Sequence, residues 1–189
     1  MEYTLRPLTP QDGETFADYL AHLDFSHAPY FSSCFCRYYH VACSDEAWME
    51  RSALKNRSES VEAIKEGRMK GYLAFSGETC VGWLNANALE TYDRLLPDLA
   101  PYAQEKKTGV VICFVLHPDH RGKGLATKML EKALDGFKAE GFTQVLGLST
   151  LNPEVPVARQ YSGRYAMFQK LGFEDLGSVG GRQLMRKIL

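Results

Sequence analysis

His117-Pro-Asp-His-Arg-Gly-Lys-Gly-Leu-Ala-Thr127 follows the apolar run Val110-Val-Ile-Cys-Phe-Val-Leu116 and leads into a helical pattern. Leu125, Ala126, Met129, Leu130, Ala133, Leu134 and Phe137 recur at helical spacing, while Lys128, Glu131, Lys132, Asp135 and Lys138 take the other side. Gly141 stands where a helix ends. The segment therefore reads as strand, tight turn and helix, with glycines and bases at the turn. Such a turn presents backbone N–H groups at a helix start, where the dipole also favours negative charge. Phosphate is the usual guest there. On the turn alone, simple chain reversal explains the glycines equally well.

Two nucleotide-binding patterns fail. A dinucleotide fingerprint needs Gly or Ala three positions after its second glycine, and Thr127 stands there, followed by Lys128. A phosphate loop needs Ser or Thr after Gly-Lys, and here Gly122-Lys123 is followed by Gly124. Thr143 to Leu148 reads as the next strand, so a parallel strand–helix–strand unit is expected.

Working outward, Tyr3-Thr-Leu-Arg-Pro-Leu8 alternates as a first strand, and Thr9-Pro10 starts a helix through about Leu23. Ser44-Asp-Glu starts one charged helix reaching about Glu66. The stretches 69–75 and 79–84 form a hairpin turning at Ser76-Gly77-Glu78. A connecting segment with Pro97 and Pro101 leads to the strand at Val110, and a helix near 163–171 precedes two last strands, 173–176 and 183–188.

The 189 residues carry 45% apolar and 24% charged residues and a net charge of −1. These are ordinary globular values, and the balance argues against a nucleic-acid binder. No apolar run approaches the ~20 residues of a membrane span, and the N-terminus lacks a signal-peptide layout. A cytoplasmic location and mostly reduced cysteines are expected.

The strand, the Leu116-x-Pro-x-x-Arg-Gly-x-Gly-x-Ala126 turn and the amphipathic helix resemble the core motif of the GNAT superfamily, the acetyl-CoA-dependent N-acetyltransferases. Tyr161-Ser-Gly-Arg-Tyr-Ala-Met-Phe-Gln-Lys-Leu-Gly-Phe173 is similar to the late helix of that family, which ends in Lys-x-Gly-Phe. The resemblance covers residues 70–188 well and 1–23 plausibly. It implies an α/β (α+β) fold, with a mixed, mostly antiparallel sheet of about six to seven strands flanked by about four helices. It implies one domain over 1–189, with an aromatic, Cys-rich insert at 24–45.

The resemblance also assigns acetyl-CoA as co-substrate. The pantetheine arm maps to Phe114, Val115 and Leu116, and the pyrophosphate to Arg121, Gly122, Lys123, Gly124, Leu125, Ala126 and Thr127. A backbone N–H near Val115–Leu116 is the expected carbonyl donor. The reaction is direct attack by an amine, expected to belong to a small molecule; no nucleic acid or membrane partner is expected, and homodimers are common in the family. A peptide amine, or a non-catalytic acyl-CoA sensor, is the alternative.

One position departs from the family pattern. Many relatives carry Tyr four residues before the Gly of Gly-Phe, where this chain has Phe168. Tyr165 is the substitute candidate for the acid, set against a packing role; Tyr161 is nearby. No base is clear: His117 and His120 flank the turn, and Asn85 and Asn87 either face the cleft or end a strand. Cys34, Cys36, His40 and Cys43 have zinc-ligand residue types without the spacing of a standard finger, so no metal is expected and a reduced structural role is preferred to a zinc or thiol sensor. Phe25, Tyr30, Phe31, Phe35, Tyr38 and Tyr39 either wall an amine pocket or cover the sheet as core.

Overall fold

The computed structural model describes residues 2–151 and 161–189. Its centre is a seven-stranded sheet in the order β1-β2-β3-β4-β5-β7-β6. The strands are β1 Thr4–Pro7, β2 Gly71–Ser76, β3 Thr79–Ala88, β4 Thr108–Leu116, β5 Gln144–Ser149, β6 Glu174–Val179 and β7 Arg182–Ile188. β4 and β5 run parallel and every other neighbouring pair antiparallel. The helices are α1 Gly13–Ala21, α2 Asp45–Met49, α3 Ala53–Lys65, α4 Leu96–Ala103, α5 Leu125–Ala139 and α6 Tyr165–Lys170. The mixed, mostly antiparallel sheet agrees with the fold that the resemblance implies. Among the described residues, no helix is long and apolar enough to cross a membrane.

Among the described residues six helices appear where about four were expected, for two local reasons. The stretch 44–66 divides because a second serine competes for the chain. The Ser44 side chain accepts from Ala47 N–H, and Ser52 accepts from Lys55 N–H, so each starts its own helix. The proline-containing connection folds as α4, with Pro97 in its first turn and Pro101 inside. Pro101 removes one helical donor, but burial of Leu95 and Leu99 against β4, β5 and β7 outweighs that loss. The helix stops at Gln104, whose backbone is left-handed.

The sheet is covered on both faces. The apolar stripe of α5 packs with Phe168 and Phe173 on one face, and α1 and α3 pack around Trp83 on the other. Trp83 meets Phe16 edge-to-face with centroids 4.8 Å apart. Its indole N–H donates to Cys36 Sγ at 3.2 Å, which ties the 24–45 segment to the sheet.

The most consequential irregularity lies in the middle of the sheet. Leu84 pairs with Phe114 but Ala86 pairs with Val111, so Asn85 alone faces Ile112 and Cys113. This bulge bends β4. The β4–β5 pairing ends at Val111 with Gly147, and beyond it the two strands part. Backbone from 161–165 bridges the gap: Phe114 N–H donates to the Tyr161 carbonyl at 2.6 Å, and Thr150 N–H to the Gly163 carbonyl at 3.0 Å.

Candidate active site

The parted strands and the start of α5 enclose a cleft of about 290 Å³. Phe114, Leu116 and Arg121 line it, as do Gly122, Gly124 and the first turn of α5 from Leu125 to Thr127. These residues were singled out by the sequence. Gly122 and Gly124 have φ of +73° and +76°, and a Cβ built on either meets no protein atom within 4 Å. The glycines are thus needed for backbone conformation, and the space above them is open. Lys128 N–H is the first in α5 to reach a helical acceptor, the Gly124 carbonyl. The N–H groups of Leu125, Ala126 and Thr127 face the cleft end of the helix, where no acidic side chain occupies the first turn.

Two residues of the expected set lie elsewhere. The Val115 side chain packs on the α1 side of the sheet, and its carbonyl accepts from the Tyr19 hydroxyl at 3.0 Å. Lys123 is exposed and outside the cleft lining. His117 N–H donates back to the Val81 carbonyl at 3.0 Å. Alternation along β4 therefore turns Val115 N–H toward β3 and aims Leu116 N–H at the open edge. The Arg121 side chain caps that strand end by donating Nε–H to the Leu116 carbonyl at 3.0 Å.

Tyr165, the expected acid candidate, points away from the cleft. Its hydroxyl donates to Asp175 on β6 at 2.9 Å, because it sits on the outer face of the short helix α6. Phe168 occupies the inner face and is fully buried, against Gly147, Phe114 and Phe173. The side chains named against its ring, Phe114 and Phe173, are apolar. Phe168→Tyr is therefore expected to cost about 1–3 kcal/mol, the penalty for an unpartnered buried hydroxyl. It should lower the melting temperature by several degrees without raising any activity; calorimetric melting measures the first and a turnover assay the second.

The tyrosine that does enter the cleft is Tyr161. Sequence reasoning noted it but placed it on the helix; it precedes α6, in the backbone that bridges β4 and β5. Phe31 holds its ring edge-to-face at 4.5 Å, and its hydroxyl lies 3.0 Å from His27 Nε2. Burial pushes its hydroxyl up to about 12.

Tyr161 also lines a second cavity, of about 700 Å³. Tyr30, Phe31, Tyr38 and Tyr39 of the insert wall it, with Trp48, Cys113 and Arg182. The insert thus divides its aromatics. Phe25 and Phe35 are core, and the other four face the cavity.

The candidate zinc ligands separate. Cys36 faces Trp83, and Cys43 accepts from Arg94 at 3.2 Å. Among the described residues no three His, Cys, Asp or Glu side chains are placed to hold a metal ion. Burial raises the Cys34 thiol to about 11, so it stays protonated. His40 belongs to a buried chain of hydrogen bonds. Tyr92 hydroxyl donates to Asn85 Oδ1 at 2.8 Å, Asn85 Nδ2 donates to His40 Nε2 at 3.0 Å, and His40 Nδ1 donates to the Thr91 carbonyl at 2.8 Å. Asn85 is therefore structural. Asn87 is too: it donates to the Arg68 carbonyl at 2.8 Å.

Burial pushes the His40 imidazole down to about 4. The unfolded chain binds a proton near pH 6.5 that the fold refuses until about pH 4. Stability from this site is therefore complete above pH 6.5 and lost as pH falls toward 4, by about 3 kcal/mol. His40→Gln should flatten that slope; urea unfolding at several pH values measures it.

A family profile described as "Acetyltransferase (GNAT) family" matches residues 29–173. The chain belongs to the GNAT acetyltransferase family. No curated protein matches the sequence. Among solved structures, the chain is similar to PaiA N-acetyltransferase from Thermoplasma acidophilum in complex with coenzyme A, at 16% identity and TM-score 0.56, covering all of both chains. It is also similar to the Drosophila melanogaster polyamine N-acetyltransferase, at 11% identity and TM-score 0.58, again over all of both chains. The ribosomal-protein-S5-alanine acetyltransferase from Vibrio fischeri has 16% identity and TM-score 0.56, over all of this chain and 93% of that one. At these identities the structural likeness speaks for the fold.

Proposed function

We propose that this GNAT acetyltransferase is a single domain over 1–189 that moves the acetyl group of acetyl-CoA to a primary amine of a small molecule by direct attack. The observation that carries the reading is the meeting of two cavities at Tyr161, one beside the glycine turn and one walled by the insert. The α5 N–H groups, Gly122 and Gly124 hold the pyrophosphate, and Arg121 adds charge beside it. The Leu116 N–H takes the thioester carbonyl oxygen as negative charge grows there.

The amine enters through the larger cavity. Its nitrogen forms the N–C bond as the C–S bond breaks, and its proton goes to solvent. Tyr161 gives its proton to the departing sulfur and regains one from solvent. With Nε2 protonated, His27 donates to the tyrosine oxygen and leaves the phenolic proton free for this transfer. A small-molecule acceptor is favoured because aromatic side chains wall the cavity within the size range of ligand pockets.

Mixing the protein with acetyl-CoA and a panel of amines, and following free thiol, tests the reading. Amine-dependent thiol release supports it. Coenzyme binding without release across the panel would instead support a non-catalytic coenzyme-binding module.

A further inference from the structure

The charges around the larger cavity are unequally balanced. Arg51 pairs with Glu59, which also lies 3.6 Å from Arg37, and Arg51 Nε donates to Asn56 Oδ1 at 2.7 Å. Asp45, the one carboxylate on the wall among the described residues, accepts from Arg94 at 2.9 Å and from the Tyr38 hydroxyl at 3.2 Å. Arg182 is different. It opens β7 directly after Gly180 and Gly181, and its guanidinium stacks on the Tyr39 ring with the centroid 5.4 Å away. No carboxylate among the described residues pairs with it. Among the described residues, Arg182 is thus a cation of the cavity wall that has an aromatic ring but no carboxylate against it.

Arg182 is half-buried, and a guanidinium laid against a ring with no carboxylate partner keeps its N–H donors available to an anion. A planar guanidinium pairs best with a two-oxygen anion, which it can hold through parallel hydrogen bonds. A polycationic amine would meet Arg182 with repulsion and find its only carboxylate, Asp45, already engaged. We infer that the acceptor is an amine with an apolar or aromatic body and a carboxylate, bound by Arg182 and the ring wall.

This inference rests on the transferase reading for its kinetic test but not for its binding test. Matched pairs differing only in the carboxylate serve as probes: L-phenylalanine against phenethylamine, L-leucine against 3-methylbutylamine, with spermidine as a polycation. In the thiol-release assay the carboxylate members should show at least a tenfold higher kcat/KM. Arg182→Gln should erase that preference by raising their KM, with kcat little changed; Arg182→Lys should keep part of it, and both should melt near the parent temperature. Equal or better use of phenethylamine or spermidine, or an unchanged preference in Arg182→Gln, overturns the inference. If no amine releases thiol, the transfer reading fails, and titration of the coenzyme A-loaded protein followed by tryptophan fluorescence decides this inference alone. Tighter binding of the carboxylate member that Arg182→Gln abolishes supports it, and indifference overturns it.

Discussion

Gly124→Glu is expected to weaken coenzyme A binding at least 100-fold, a loss on the order of 3 kcal/mol. Gly124 caps α5 with φ of +76°, and a side chain there would project into open space at the mouth of the cleft. A glutamate at that point puts negative charge where the reading places the pyrophosphate. It also offers its own carboxylate to the N–H groups of the first turn, so it competes for the same donors. The same contact offsets part of the cost of a left-handed non-glycine residue, which is about 1–2 kcal/mol. The fold should therefore survive while the affinity does not. Gly77→Glu is the matched control, because Gly77 also has a positive φ and open surroundings but turns the β2–β3 hairpin. Calorimetric titration of both variants is the measurement. Equal affinity in the parent and Gly124→Glu would remove the cleft as the coenzyme site.

The contrast between these glycines shows what the sequence made legible. The turn at 121–127 could be read because strand, glycines and helix are contiguous, and local chemistry sets all three. The α5 stripe could be read because its period agrees with the face it buries. The tyrosine that lines the cleft could not. Tyr161 and Tyr165 are four residues apart, and a continuous helix would have put them on one face. The chain instead crosses between β4 and β5 at 161–163 and begins α6 only at Tyr165. That crossing depends on the parting of the two strands after Val111, which is a long-range event. Asn85 failed for a related reason. A polar residue in a strand looked ready for a cleft, but it lies at the bulge in β3–β4 and is satisfied by His40 and Tyr92. The cysteine and histidine cluster was compact in sequence, and successive turns direct its members to different partners: Trp83, Arg94 and Thr91. The second serine at 52, which divides the helix 44–66, was visible but competed with a long charged pattern.

Tyr161→Phe is expected to lower kcat by about 10–100-fold while leaving coenzyme affinity within twofold. A positioned acid contributes about 100-fold or more in favourable cases, and the lower value reflects a thiolate that already leaves readily. The substitution removes one oxygen and keeps the ring that packs on Phe31, so the cavity walls should hold. The hydroxyl is held up to about 12 by burial, so in the parent it remains protonated throughout the working range. The kcat deficit of the variant should therefore be constant from pH 6 to 9, not one that grows across that range. His27 lies 3.0 Å from the hydroxyl and orients it, so His27→Ala should produce a smaller loss of the same kind. When Tyr161 is already phenylalanine, His27→Ala should add little, because the two act as one unit. A rise in the KM for amine with kcat unchanged would make Tyr161 a wall of the acceptor cavity and not the proton donor. That outcome would leave the leaving sulfur to depart unassisted, with Phe168 still buried beneath Gly147 and no other tyrosine among the described residues that line the cleft beside the glycine turn.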